Sequence, residues 1–249
     1  MLFRRFYCIL FLLLVAVLFQ KTNAQDSIAK PAISNILRND LTVSYAVKMH
    51  SSKSNTGIGE TYDGGIKTIF ISGTRARIRL VSLMRMQSIF VLKPAEAMPA
   101  AVVTKESGKK KYKYYLTKDE WKKYNRKYDS VTCELTNDST VILNYPCRKA
   151  IIHLKDGRNI NVFYTDSIRS NVLSIAEPAF YCIPGLVLQY EYEHKKGSVI
   201  YTATSISEAD IDKGVFRVPV KGFVLRRFSL TPTSSKSDKE IADQSEFEN

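Results

Sequence analysis

Residues 41–49 alternate without a break. Leu41, Val43, Tyr45, Val47 and Met49 share one parity, and Thr42, Ser44, Ala46 and Lys48 the other. A period of two fits a strand with one buried and one wet face, and it does not fit a helix. Similar short stretches return at 66–72, 74–81, 85–92, 100–105, 110–116, 131–135, 141–143, 147–154, 159–165, 186–192 and 199–205. A further one at 215–220 contains Pro219, which marks an edge or a strand end. Asp156-Gly157, set between two such runs, spells a hairpin turn. Helical signals are few. Pro31 opens a short apolar-faced stretch over 31–38, and 207–212 fits a single turn. Thr117-Lys118-Asp119-Glu120 is a capping box, followed by Trp121, Tyr124 and Tyr128 at helical spacing. Regular alternation of strands with long helices, the mark of a parallel sheet, is missing. The expected fold is mainly β (α+β): a curved antiparallel sheet or incomplete barrel with a few short helices packed on it.

The chain opens on Arg4 and Arg5, then an unbroken apolar run from Ile9 to Phe19, then a small residue, Ala24, before a polar one. Residues 1–24 therefore read as a secretory signal peptide. The run is short of the roughly 20 residues a membrane span needs. Cys8 lies at the front of that run, where it is poorly placed for lipidation. Residues 25–230 read as a single antiparallel β domain, with no linker-like composition inside it. Residues 231–249 carry five acids and two lysines with little apolar content, and read as a disordered polar tail. The expected location is periplasmic or secreted, with no transmembrane span after signal cleavage.

The formal charge of +13 falls to about +10 without Arg4, Arg5 and Lys21. Such a charge on an exported protein suits anionic lipid headgroups, acidic polysaccharide or an acidic partner rather than nucleic acid, and it equally suits general solubility. Arg75, Arg77 and Arg79 share one strand face and are expected to be solvated.

Catalytic patterns do not appear. The histidines His50, His153 and His194 show no metal-binding spacing, and there is no C-x-x-C. Cys147 and His153 lie six residues apart on one expected strand. At about 3.3 Å per residue they stand roughly 20 Å apart, too far for a thiol and its base. Nucleophile elbow, phosphate loop and nucleotide fingerprint are all lacking. The sequence thus assigns no catalytic, cofactor-binding or metal residue, and the expectation is a protein that is not an enzyme. Among the thiols, Cys133 and Cys147 flank a turn-rich stretch, Thr136-Asn137-Asp138-Ser139, and are the candidate disulfide pair. Cys182, beside Ile183 in an apolar run, is expected to be reduced and buried.

The run Cys182-Ile183-Pro184-Gly185-Leu186-Val187 resembles the signature of the GLPGLI family of secreted bacterial proteins. Pro184, Gly185 and Leu186 match; Ile183 and Val187 are apolar substitutes; Cys182 departs from the leading glycine. Asn144-Tyr145-Pro146-Cys147-Arg148-Lys149-Ala150 is similar to a second family step, and Tyr164-Thr165 to a third. A related periplasmic domain of unknown function fits as well. Such families look like the lipoprotein-carrier (LolA-like) half-barrel, in which a curved sheet and short helices enclose an apolar hollow. The resemblance implies binding rather than catalysis and carries over no site residue. It leaves two expectations. The first is a carrier-like envelope protein for an apolar or amphiphilic ligand, with a lipid or lipidated protein as partner. The second is a structural or protein-interaction component with a filled core, partnered by another envelope protein. For the motif itself the residues predict a structural part: Pro184 fixes φ and Gly185 permits a tight bend.

Overall fold

A computed structural model describes residues 36–37, 40–51, 63–92, 99–194 and 197–229, all within the compact unit Asn35–Asn249. The expected signal segment 1–24, most of the 31–38 stretch, residues 52–62 and the expected polar tail at 231–249 lie outside the described residues.

The elements are β1 (Ile36–Leu37), β2 (Asp40–Ser51), β3 (Ile66–Ser72), β4 (Arg75–Val81), β5 (Arg85–Val91), β6 (Ala101–Ser107) and β7 (Lys110–Leu116). Helix α1 (Lys118–Tyr124) and a 3₁₀ turn (Arg126–Tyr128) follow. Then come β8 (Thr132–Ile142), β9 (Tyr145–His153), β10 (Asn159–Thr165), β11 (Ile168–Arg169), α2 (Leu173–Ala176), a 3₁₀ turn (Pro178–Phe180), β12 (Leu186–His194) and β13 (Gly197–Ser207). The chain closes with a 3₁₀ turn (Lys213–Phe216) and β14 (Val224–Leu225). Ile36 and Leu37, expected in a helix, instead pair as a parallel strand with β11.

All strands but β1 and β11 form one curved, open sheet in the order β14-β7-β6-β5-β4-β3-β2-β13-β12-β10-β9-β8. Only the short β14 runs parallel to its neighbour; the other ladders are antiparallel. The first and last long strands, β2 and β13, meet in the middle of the sheet. Consecutive β7 and β8 therefore sit near its opposite ends, joined by residues 117–131. Ten strand spacings separate them, about 48 Å if the sheet were flat. The connector, mostly helical, reaches only about 35 Å. The sheet must bend toward it, so a short connector enforces curvature. The capping box forms as the sequence spells it: Thr117 Oγ1 accepts from Glu120 N at 3.2 Å, and Glu120 Oε2 from Thr117 N at 2.9 Å.

The inner face repeats the alternation of each strand in register. Leu41, Val43, Ile69, Ile71, Ala101 and Leu116 are buried there, with Trp121 and Tyr128 of the connector laid against them. The outer face is covered in part by the C-terminal segment, where the expected strand at 215–220 and helical turn at 207–212 are absent. Arg77 Nη1 donates to Val215 O at 2.9 Å, and Lys113 Nζ donates to Pro219 O at 2.8 Å. Arg75 lies 5.0 Å from the Phe216 ring centre. Only Arg79 of the expected solvated row is exposed; Arg75 and Arg77 pin the strap instead.

The turn-rich stretch 136–139 is not a turn. It lies within β8 as a bulge between Leu135 and Ser139, and the real turn is Leu143-Asn144, with φ of 51° and 65°. This rules out the Cys133–Cys147 pair. Cys133 faces Ile152 and Cys147 faces Thr140, so the two thiols lie about five residues, or roughly 17 Å, apart along the ladder. Cys133 is bonded to Cys182, Cα atoms 6.2 Å apart, so Cys182 is not reduced. Cys147 is the free, buried thiol among the described residues, and burial pushes it above its ordinary value.

Candidate functional site

Strand β3 places Lys67, Ile69 and Ile71 on the inner face, so a lysine points where its neighbours are apolar. Its ammonium is ion-paired with Glu177, which lies between α2 and the 3₁₀ turn, and donates to Tyr190 Oη at 2.7 Å. Three rings surround it, with centres 5.4 Å (Tyr45), 4.9 Å (Tyr190) and 5.6 Å (Tyr201) from Nζ. The charge is thus compensated by one carboxylate, one phenol and three ring faces, which is what a buried ammonium requires.

The rings hold one another. Tyr190 and Tyr201 stack at 4.4 Å, and Phe180 meets Tyr190 edge-on at 5.0 Å. Tyr128 and Tyr192 share a phenol–phenol hydrogen bond of 2.9 Å. Tyr45 Oη donates to Val187 O at 2.8 Å, tying β2 to the apolar motif. Burial, first, and then the Glu177 carboxylate hold the Tyr45 phenol well above its ordinary value. Burial does the same to Tyr190 and Tyr192, and raises Tyr128.

Beside this cluster, between sheet and connector, a cavity of about 100 Å³ remains, lined among others by Trp121, Tyr124, Asn125, Tyr128 and Gln87. A larger cavity of about 500 Å³ lies on the other side of residues 173–181. That segment is the wall between the two. Ala176, Pro178 and Ala179 line the small cavity; Leu173, Ser174, Phe180 and Tyr181 line the large one; Glu177 lines both. The wall is fixed by the Lys67 ion pair, by Tyr181 Oη donating to Val131 O at 2.9 Å, and by the disulfide next to it.

All five motif residues, Ile183, Pro184, Gly185, Leu186 and Val187, line the larger cavity. Arg169, Ser170 and Asn171 supply its polar side. Gly185 is required by crowding: a Cβ there would stand 2.0 Å from Thr165 O. Sequence reasoning singled out this motif but missed Lys67 and Glu177, whose partnership spans 110 residues. His153 bonds Asn159 Oδ1 at 2.9 Å and Glu134 Oε2 at 3.3 Å, and both it and Cys147 lie on β9. Among the described residues no cluster of three metal-ligating side chains occurs, and no helix is long and apolar enough to cross a membrane.

No protein-family profile matches the chain, and no curated protein does. Among solved structures it is similar to PNGF-II in two crystal forms. For the P21 form the TM-score is 0.45 with 13% identity over 83% of this chain; for the C2 form the values are 0.43, 14% and 83%. It is also similar to MucB, with a TM-score of 0.35 and 10% identity over 74% of this chain and 58% of that one. The chain spans about a third of the length of PNGF-II. At TM-scores below 0.5 these likenesses carry no argument about this chain.

Proposed function

We propose that the chain is an exported, non-enzymatic binding protein of the bacterial cell envelope that takes an amphiphilic ligand in the cavity bounded by its apolar motif. The observation that carries this reading is the cavity of about 500 Å³, within the range of small-molecule sites, lined both by apolar Phe180, Ile183 and Leu186 and by polar Arg169, Ser170 and Asn171. An apolar chain would lie along the first group and a polar head would meet the second. The signal-like residues 1–24 support export to the periplasm or beyond. The resemblance of 182–187 to the GLPGLI signature supports the same reading, since residues 183–187 of that run line the cavity.

The test is uptake of a fluorescent fatty acid by purified full-length protein, compared with Ser174→Trp, which fills the cavity from its exposed wall. Saturable uptake lost in Ser174→Trp supports the proposal. No uptake, or uptake untouched by the substitution, overturns it. A second reading, a protein-interaction component with a filled core, is favoured by the hollow under the sheet, which is only about 100 Å³. It calls for ligand-free protein in native mass spectrometry and a defined envelope partner on crosslinking.

A further inference from the structure

At one end of the sheet, exposed apolar and basic side chains coincide. The register Ile66↔Val81↔Met86↔Glu106↔Lys111 places the start of β3, the β4–β5 turn and the β6–β7 turn side by side. Ile66 is 55% exposed, Leu83 95% and Met84 65%. Large apolar side chains on hairpin tips gain nothing from the fold, and clustering of three on adjacent strands marks a contact surface. Arg79, on β4 just before the first tip, and Lys109 and Lys110, on the second, are exposed beside them. Among the described residues the acids at this end are engaged: Glu106 with Lys111 at 2.5 Å, and Asp63 with the Met49 amide at 3.0 Å.

We propose that this rim docks on an anionic lipid bilayer, with Leu83 and Met84 entering the headgroup layer and Arg79, Lys109 and Lys110 facing the lipid phosphates. Apolar tips flanked by cations suit that partner, because the interface accepts apolar side chains at shallow depth while its negative potential draws lysine and arginine. An acidic protein would match the cations but leave Leu83, at a projecting tip, without a flat surface to enter. The surface is separate from the ligand cavity, so the two proposals stand or fall independently.

The experiment is flotation of the full chain with vesicles of phosphatidylcholine alone or with one-third phosphatidylglycerol. Binding should require phosphatidylglycerol and weaken with added salt. Each cation near such a surface is worth about five-fold in partitioning, so Lys109→Glu with Lys110→Glu should lower binding at least about 20-fold. Leu83→Ser with Met84→Ser should lower it while circular dichroism stays unchanged. In Leu83→Trp, fluorescence should shift to the blue on anionic vesicles only. Flotation that ignores lipid charge and these substitutions, as anchoring by residues 9–19 would give, overturns the proposal. Retention on immobilised polyglutamate without vesicle binding overturns it too.

Discussion

Lys67 and Glu177 form a buried ion pair across 110 residues of sequence, their side chains 8% and 13% exposed. The pair joins the inner face of β3 to the wall between the two cavities. Removing one partner strands the other charge in a low-dielectric site, at a cost of about 3–5 kcal/mol. Lys67→Met and Glu177→Leu should each destabilise the protein by about that much in urea unfolding. The double substitution should recover most of the loss, because no orphan charge remains. Additive losses would show that the pair is not coupled.

Peptide mapping without reduction should recover the Cys133 peptide linked to the Cys182 peptide. Cys147 should be free, and slow to alkylate in the native protein because burial keeps its thiol protonated. Replacing both bonded cysteines by serine should cost about 4 kcal/mol, the chain-entropy value for a 49-residue loop.

Four buried phenols make stability fall at alkaline pH. In the unfolded chain Tyr45, Tyr128, Tyr190 and Tyr192 would ionise near 10.0, whereas burial keeps them protonated in the fold. Above pH 10 the folded state therefore holds more protons than the unfolded one, and stability declines as pH rises. Below pH 10 their contribution is complete. Absorbance of tyrosinate should rise in two steps, the second coinciding with loss of the folded circular dichroism signal. A single step with the fold intact would contradict the buried cluster.

Gly185→Ala should be among the most damaging single substitutions in the chain. Its Cβ would lie 2.0 Å from Thr165 O, a backbone atom held by the β10–β12 ladder. A loss of about 3 kcal/mol or more in thermal or urea unfolding is expected, against about 1 kcal/mol for Gly222→Ala, where the space is open and the φ of 83° alone opposes a side chain. The expected role of this glycine was a tight bend; residues 184–185 do bend, and the close backbone approach is a second, separate reason for glycine there.

The strands were legible because alternation is local: Leu41, Val43, Tyr45 and Val47 declare their face without reference to anything else. Helix α1 was legible for the same reason, its cap being written in Thr117 and Glu120. Thr136-Asn137-Asp138-Ser139 misled because turn-forming residues also suit a bulge, and only the register with β9 distinguishes the two. From that error followed the wrong thiol pair. Lys67 did carry a signal, a lysine at an inward parity among isoleucines, but its meaning depended on Glu177. No local rule links a residue of β3 to one beyond β11.

The meeting of β2 with β13 at the centre of the sheet also orders assembly in time. Each half can grow by neighbouring hairpins as the chain is made, but the seam waits for residues 197–207. Until then β2 offers a long unsatisfied backbone edge, open to pairing with another nascent copy. A holdase that occupied that edge would protect the chain until β13 emerges, and release of the edge would then let the long-range seam close.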